Sequence, residues 1–161
     1  MEPRVYLETS VVSYLVARPS RDIVVAAHQQ VTREWWASRE RYALFTSQLV
    51  LREARAGNPD AAARRLEVLD ETSVLDISLD ADELARVMVV RGAVPAAAIA
   101  DALHVAIAAT NGLTHLLTWN LTHIANADSR GRLEAVCRDE GIAPPLIATP
   151  EEMMEDAIDV P

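Results

Sequence analysis

Short apolar runs rich in strand-forming residues alternate along this chain with longer segments whose apolar residues recur at helical spacing. Residues 4–8 (RVYLE), 42–47 (YALFTS), 73–78 (SVLDIS) and 114–119 (THLLTW) read as strands, and 144–148 (PPLIA) is a candidate edge strand. Between them lie helical segments at 10–17, 20–39, 47–57, 58–70, 79–91, 96–111 and 128–140, several stopped by glycine. Ser20 can cap the second of these, and its Ile23, Val24, Ala27, Val31 and Trp35 fall on one face at helical spacing. Strands separated by helices cannot pair as hairpins. They favour a parallel sheet covered on both faces. The expected fold is therefore α/β: a three-layer α/β/α sandwich with a central parallel sheet of four or five strands. No repeat or internal boundary interrupts residues 1–150, which read as a single domain, and residues 151–161 form an acidic C-terminal tail.

In open sheets of this class, ligands bind beyond the carboxyl ends of the strands. The search for a site starts at Glu8, Ser47 and the residues following Trp119. Glu8 breaks an apolar strand abruptly, ahead of Thr9 and Ser10. A turn role competes with a ligand role, although Ser, Asp or Asn would cap a helix better. Asp101 is the stronger anomaly, because AAAIADALHVAIAA is otherwise almost wholly apolar. A carboxylate there needs a partner, hydrogen bonds or a cation, unless it marks a solvated stripe or a late helix start after Pro95. His104 follows one turn on and can share its face. Glu53, in LVLREAR, sits at the border between core and solvent, on the helix after the second strand. Asn120 follows the fourth strand in LLTWN, either as a turn residue or with its amide oxygen in the crevice. His123 is a nearby polar contact or a surface imidazole; His28 and His115 read as structural, and Trp35 and Trp36 as core and flank.

Three carboxylates with one amide make a hard, oxygen-rich donor set suited to Mg²⁺ or Mn²⁺, and the histidine spacing offers no zinc motif. The basic residues narrow the chemistry further. All fifteen are arginine, which excludes a P-loop and Schiff-base catalysis. The net charge is −9; five acids and no base lie within residues 151–161, and removing those five charges leaves −4 for the rest. A nucleic acid would therefore need a local basic patch. Cys137 is the single cysteine, so no intramolecular disulfide forms. The first residues do not read as a charged-then-apolar leader and no apolar run approaches the length of a membrane span, so a cytoplasmic location is expected.

YLETS after the first strand, LVLREAR and AIADALHVAIA on helices, and LLTWN at a strand end occur in an order that resembles the PIN-domain family, and within it the VapC-type toxins of toxin–antitoxin pairs. The resemblance covers roughly residues 4–150. It implies that Glu8, Glu53, Asp101 and Asn120 form the catalytic, metal-ligating quartet, with Ser10 and His104 in support. It further implies a Mg²⁺- or Mn²⁺-dependent endoribonuclease that hydrolyses RNA phosphodiesters with a metal-activated water, is dimeric, and is restrained by a small antitoxin protein. Exposed apolar residues on the first two helices would serve a homodimer. Two positions depart from the family pattern, which usually has Asp at both: Glu8 is a methylene longer, and Asn120 is neutral. The second change favours one firmly held cation over two. Arg18, Arg21, Arg52 and Arg55 are the candidate RNA phosphate contacts, or else ordinary solvated charges. The competing reading is a catalytically weakened PIN-like domain that binds RNA or a protein; a phosphatase is disfavoured by the missing lysine.

Overall fold

Five parallel strands form one sheet in the order β3-β2-β1-β4-β5 in the computed structural model, which describes residues 2–154. The strands are β1 (Arg4–Leu7), β2 (Ala43–Ser47), β3 (Ser73–Leu75), β4 (His115–Leu117) and β5 (Leu146–Ala148). The helices are α1 (Thr9–Val16), α2 (Ile23–Ala37), α3 (Gln48–Ala54), α4 (Pro59–Leu69), α5 (Leu79–Val90), α6 (Ile99–Thr110) and α7 (Ala127–Asp139), with short 3₁₀ turns at Arg39–Arg41 and Ala96–Ala98. The expected α/β sandwich with a parallel sheet is the observed one, and the candidate edge strand is real.

The chain lays β2 and β3 to one side of β1, then crosses back to place β4 and β5 on the other. Parallel crossovers are right-handed, so a change of direction moves the connecting helices to the opposite face. The packing agrees: α1 lies against α2, α3 and α4, whereas α5 lies against α6 and α7. The reversal at β1 and β4 leaves a crevice beyond their carboxyl ends, where the two crossovers part company.

The central strands are apolar without alternation because both faces are covered. Val5, Tyr6, Leu7, Leu116 and Leu117 are all buried, and Val5 lies in register with Leu44 on one side and His115 on the other. Ala102, Ala106 and Ala109 are buried positions on α6, where small side chains allow close approach to α5. Gly112 ends the turn after α6 with φ +65°, a conformation costly for any side chain, and so aims the chain into β4. Cys137 is buried on α7, and burial pushes its thiol up to about 11.

Two helices differ from the expectation. Asp22, rather than Ser20, caps α2 by accepting from the amides of Val24 and Val25. The apolar face assigned to Ile23, Val24, Ala27, Val31 and Trp35 is only partly inward, with Ile23 84% and Val24 58% exposed. The buried positions are Gln29, Thr32 and Trp35. Polar side chains go inward because partners await them. The Gln29 amide donates to the Arg18 carbonyl and its oxygen accepts from the Ser20 amide; Thr32 Oγ1 accepts from Trp119 Nε1 at 2.7 Å. The segment 96–111 likewise divides, with a 3₁₀ turn first, so Asp101 falls in the first turn of α6.

Of the acidic tail, residues 155–161 lie outside the described residues. Glu152 grips the Arg130 guanidinium through both oxygens, at 2.6 and 2.8 Å, and accepts from the Thr149 amide at 3.0 Å.

Leu116 is fully buried in β4 between β1 and β5. Leu116→Ala should lower unfolding free energy by about 2–5 kcal/mol, through reduced burial and the cavity left behind. Urea denaturation should show a lower midpoint with an unchanged slope.

Candidate active site

Glu8 leaves β1 and immediately caps α1. Its Oε2 accepts from the Ser10 amide at 3.1 Å, and its Oε1 accepts from Thr118 Oγ1 at 2.6 Å and from Ser10 Oγ in a short contact. The Glu8 amide in turn donates to the Leu117 carbonyl at 3.0 Å, extending the β1–β4 pairing by one rung. A carboxylate only 5% exposed is tolerable here because three donors face it and the amino end of α1 supplies a favourable dipole. The cap role and the site role fall on one residue.

Glu53 reaches the same corner from α3. Its Oε1 accepts from Thr9 Oγ1 and from His104 Nε2, each at 2.6 Å. Burial pushes the Glu53 carboxyl up, but the hydrogen bonds from His104 and Thr9, with the nearby charge of Arg52, outweigh it and hold the carboxyl below 4.5. His104 is fully buried on α6, and its Nδ1 lies 2.8 Å from the Tyr6 hydroxyl, which is itself 2.8 Å from Ser47 Oγ. Burial drives the Tyr6 phenol far above its ordinary range, and the Glu8 and Glu53 charges add to that, against a smaller lowering by the Ser47 bond.

Asp101 lies one turn before His104 on α6, but the two do not pair. Asp101 Oδ2 instead meets His123 Nδ1 at 2.9 Å. Asn120 holds that loop in shape: its Oδ1 accepts from the Thr122 and His123 amides at 3.2 and 3.0 Å, and its own amide donates to Thr118 Oγ1 at 2.9 Å. The named residues therefore fall into two neighbouring groups. Glu8, Glu53 and His104 offer ligand atoms that all lie within 4.8 Å of one another. Asp101, His123 and Asn120 form the second group, joined to the first through Thr118 and α6.

The donor set fits a divalent cation. Two carboxylates approach closely, and among the described residues neither forms an ion pair with an arginine. A hard cation would supply the missing positive charge, and Asp101 offers a further oxygen donor on the same α6 face. A cleft of about 440 Å³ opens beside Glu8 and Ser10 and runs past Ser13 and Tyr14 to Gln29. Behind it, Trp119 stacks on His28 at 4.1 Å between ring centroids, and Tyr14 meets both edge-on. Arg18, Arg21, Arg52 and Arg55 are exposed, and none forms an ion pair among the described residues.

Sequence reasoning passed over Thr9, Thr118 and Tyr6. Their signal was present. Each central strand ends in hydroxyls: Thr9 and Ser10 after β1, Thr46 and Ser47 in β2, and Thr118 after β4.

No protein-family model matches this chain, and no curated protein does. Among solved structures, it is similar to VapC20 of Mycobacterium tuberculosis, a toxin that cleaves the sarcin–ricin loop. The match has a TM-score of 0.59 at 20% identity and covers 74% of this chain and 92% of that one. It is also similar to VapBC2 of Rickettsia felis, solved with a DNA fragment from its promoter. That match has a TM-score of 0.53 at 13% identity and covers 90% of this chain and 97% of the other. The chain shares their fold. That fold is the one the resemblance implied, and among the described residues no helix is long and apolar enough to cross a membrane.

The Glu53 carboxyl has a testable consequence. A carboxyl held below its unfolded value contributes stability that is present above 4.5 and lost as pH falls through the lower folded value. The stability difference between wild type and Glu53→Gln should be constant well above 4.5 and should shrink in acid, as read by urea melts across pH.

Proposed function

We propose that this protein is a Mg²⁺- or Mn²⁺-dependent endoribonuclease of the VapC type, the toxin half of a toxin–antitoxin pair. The observation that carries the reading is the meeting of Glu8 and Glu53 at the strand crossover, where among the described residues no arginine forms an ion pair with either. The shared fold with VapC20 and VapBC2 supports it.

Glu8 and Glu53 would hold the cation, with Asp101 as a further carboxylate. When bound, such a cation supplies Lewis acidity and a water of lowered pKa for attack on a phosphodiester. The chain's own residues do the rest. Ser10 and Thr118 fix the Glu8 oxygens, while Thr9 and His104 fix Glu53. His123 steadies Asp101 at the mouth of α6. The cleft beside Glu8 is where a substrate nucleotide would lie, and Arg18, Arg21, Arg52 and Arg55 would offer planar donors to backbone phosphates. Local arginines are needed because the chain as a whole, at −9, repels RNA at long range.

The partners follow from the same reading: an RNA substrate, a small antitoxin protein, and a second copy of the chain, for which exposed Ile23 and Val24 on α2 offer apolar contact. A cytoplasmic location and a single domain over residues 1–150 belong to it too. One observation favours the alternative, a weakened domain that only binds RNA or protein. The Asn120 oxygen is occupied by two backbone amides and carries no charge toward a cation.

Purified protein should cleave RNA with Mn²⁺ or Mg²⁺ and stop in EDTA, and Asp101→Asn should reduce the rate on the order of a hundredfold or more. Undiminished cleavage in EDTA or by the variant would sink the metal-site account. A wild type that binds RNA yet cuts none would establish the alternative. Arg18→Ala with Arg21→Ala should weaken RNA binding and flatten its logarithmic salt dependence by roughly 0.7 for each phosphate no longer neutralised.

A further inference from the structure

One imidazole in the site lies too deep to meet substrate. His104 is fully buried, and both ring nitrogens are engaged: Nε2 with Glu53 Oε1 at 2.6 Å, Nδ1 with the Tyr6 hydroxyl at 2.8 Å. Beyond Tyr6 the chain of bonds continues to Ser47 Oγ at 2.8 Å, which accepts from the Val50 amide at 3.2 Å. The Ser47 oxygen is fully buried with no other acceptor in reach among the described residues.

The direction of the protons follows by elimination. The Val50 amide must donate to Ser47, since an amide cannot accept. The buried Ser47 hydroxyl then satisfies its own proton only by donating to Tyr6. Tyr6, having accepted, donates its proton to His104 Nδ1. That leaves the imidazole proton on Nε2, donated to Glu53, and the opposite tautomer would aim a nitrogen lone pair at a carboxylate. Every donor in the chain is used once. Its anchor is backbone: Ser47 is the N-cap of α3, the same helix that carries Glu53. The relay thus loops from the start of α3, through β1 and α6, back to a side chain on α3.

Glu53 Oε1 receives both His104 and Thr9, while Oε2 accepts no hydrogen bond among the described residues. We propose that the Ser47–Tyr6–His104 relay is a positioning device that fixes the imidazole tautomer, occupies one oxygen of Glu53 and presents the other to a divalent cation. This rests on the metal-site reading above and assigns Tyr6, Ser47 and His104 roles as positioning residues. Partners of ligating groups, fixed in this way, typically influence metal affinity by about 10–100-fold.

The test uses the full chain and Mn²⁺ as the probe. In ¹⁵N-histidine-labelled wild type without metal, His104 should show a protonated Nε2 and an unprotonated Nδ1; a protonated Nδ1 overturns the proposal. Tyr6→Phe removes one buried hydroxyl and keeps the ring, so it is the variant best able to fold. Calorimetry should find Mn²⁺ bound roughly tenfold more weakly than by wild type. The loss in His104→Leu should be at least as large, and His104→Gln, which keeps a donor to Glu53, should restore part of it. Thermal unfolding in EDTA identifies any variant whose fold is damaged. Wild-type affinity in folded Tyr6→Phe overturns the relay alone, whereas a wild type that binds no Mn²⁺ overturns the metal-site reading and the relay with it.

Discussion

A carboxylate buried in the seam between two parallel strands sets the terms for the rest of the molecule. Left unpaired in such a place, Glu8 would cost several kcal/mol. The chain meets that demand with donors from both sides of the seam: the Ser10 amide and hydroxyl after β1, and the Thr118 hydroxyl after β4. Each donor is committed further. Ser10 Oγ accepts from the Trp119 amide, and Thr118 Oγ1 accepts from the Asn120 amide. The start of α1 and the exit of β4 are thereby locked to each other, and the crevice between them has a rigid floor.

Around that floor, two imidazoles each serve one carboxylate. His104 reaches Glu53 from inside the protein, and His123 reaches Asp101 from a loop with its ring half-buried. In a chain without lysine, the permanent cations are arginines, and the candidate phosphate contacts among them point outward. An arginine in direct ion pair with Glu8 or Glu53 would neutralise the pair and compete with any metal. An imidazole that donates one hydrogen bond orients the carboxylate without contributing a fixed charge. In the proposed nuclease, this division between imidazoles at the carboxylates and exposed guanidinium groups would keep the centre receptive to a cation and offer the rim to phosphate.

Much of this was legible in the sequence, for identifiable reasons. Alternating strands and helices dictate a parallel sheet, and the polar break at Glu8 marks the carboxyl end of β1. Asp101 stands out because an apolar helix makes a carboxylate conspicuous. The pairing of the histidines was not legible. His104 follows Asp101 by three residues, and helical adjacency suggests that pair; only tertiary packing brings α3 close enough for Glu53 to take the imidazole. The α2 face was misread for a related reason. Ile23 and Val24 fit the helical period, but Gln29 and Thr32 hold the buried positions because the Arg18 carbonyl, the Ser20 amide and Trp119 Nε1 supply bonds that no periodicity reveals. Strand order was equally silent, since alternation alone does not say at which strand the crossovers reverse.

Asn120 acquires a physical role from these contacts. Its oxygen caps the turn that carries His123, and His123 in turn holds Asp101, so the residue shapes the site through the loop rather than through charge. A carboxylate at this position could accept the same two amides, but it would add a negative charge beside a loop with one imidazole to answer it. The neutral amide keeps the turn and removes the repulsion. With Glu8, Glu53 and Asp101 as the remaining acids, one divalent cation leaves the proposed centre at −1, whereas a second would make it +1 without a fourth carboxylate to hold it. In the proposed centre, the neutral amide that looks like a loss of catalytic charge would thus also suit the site to a single cation.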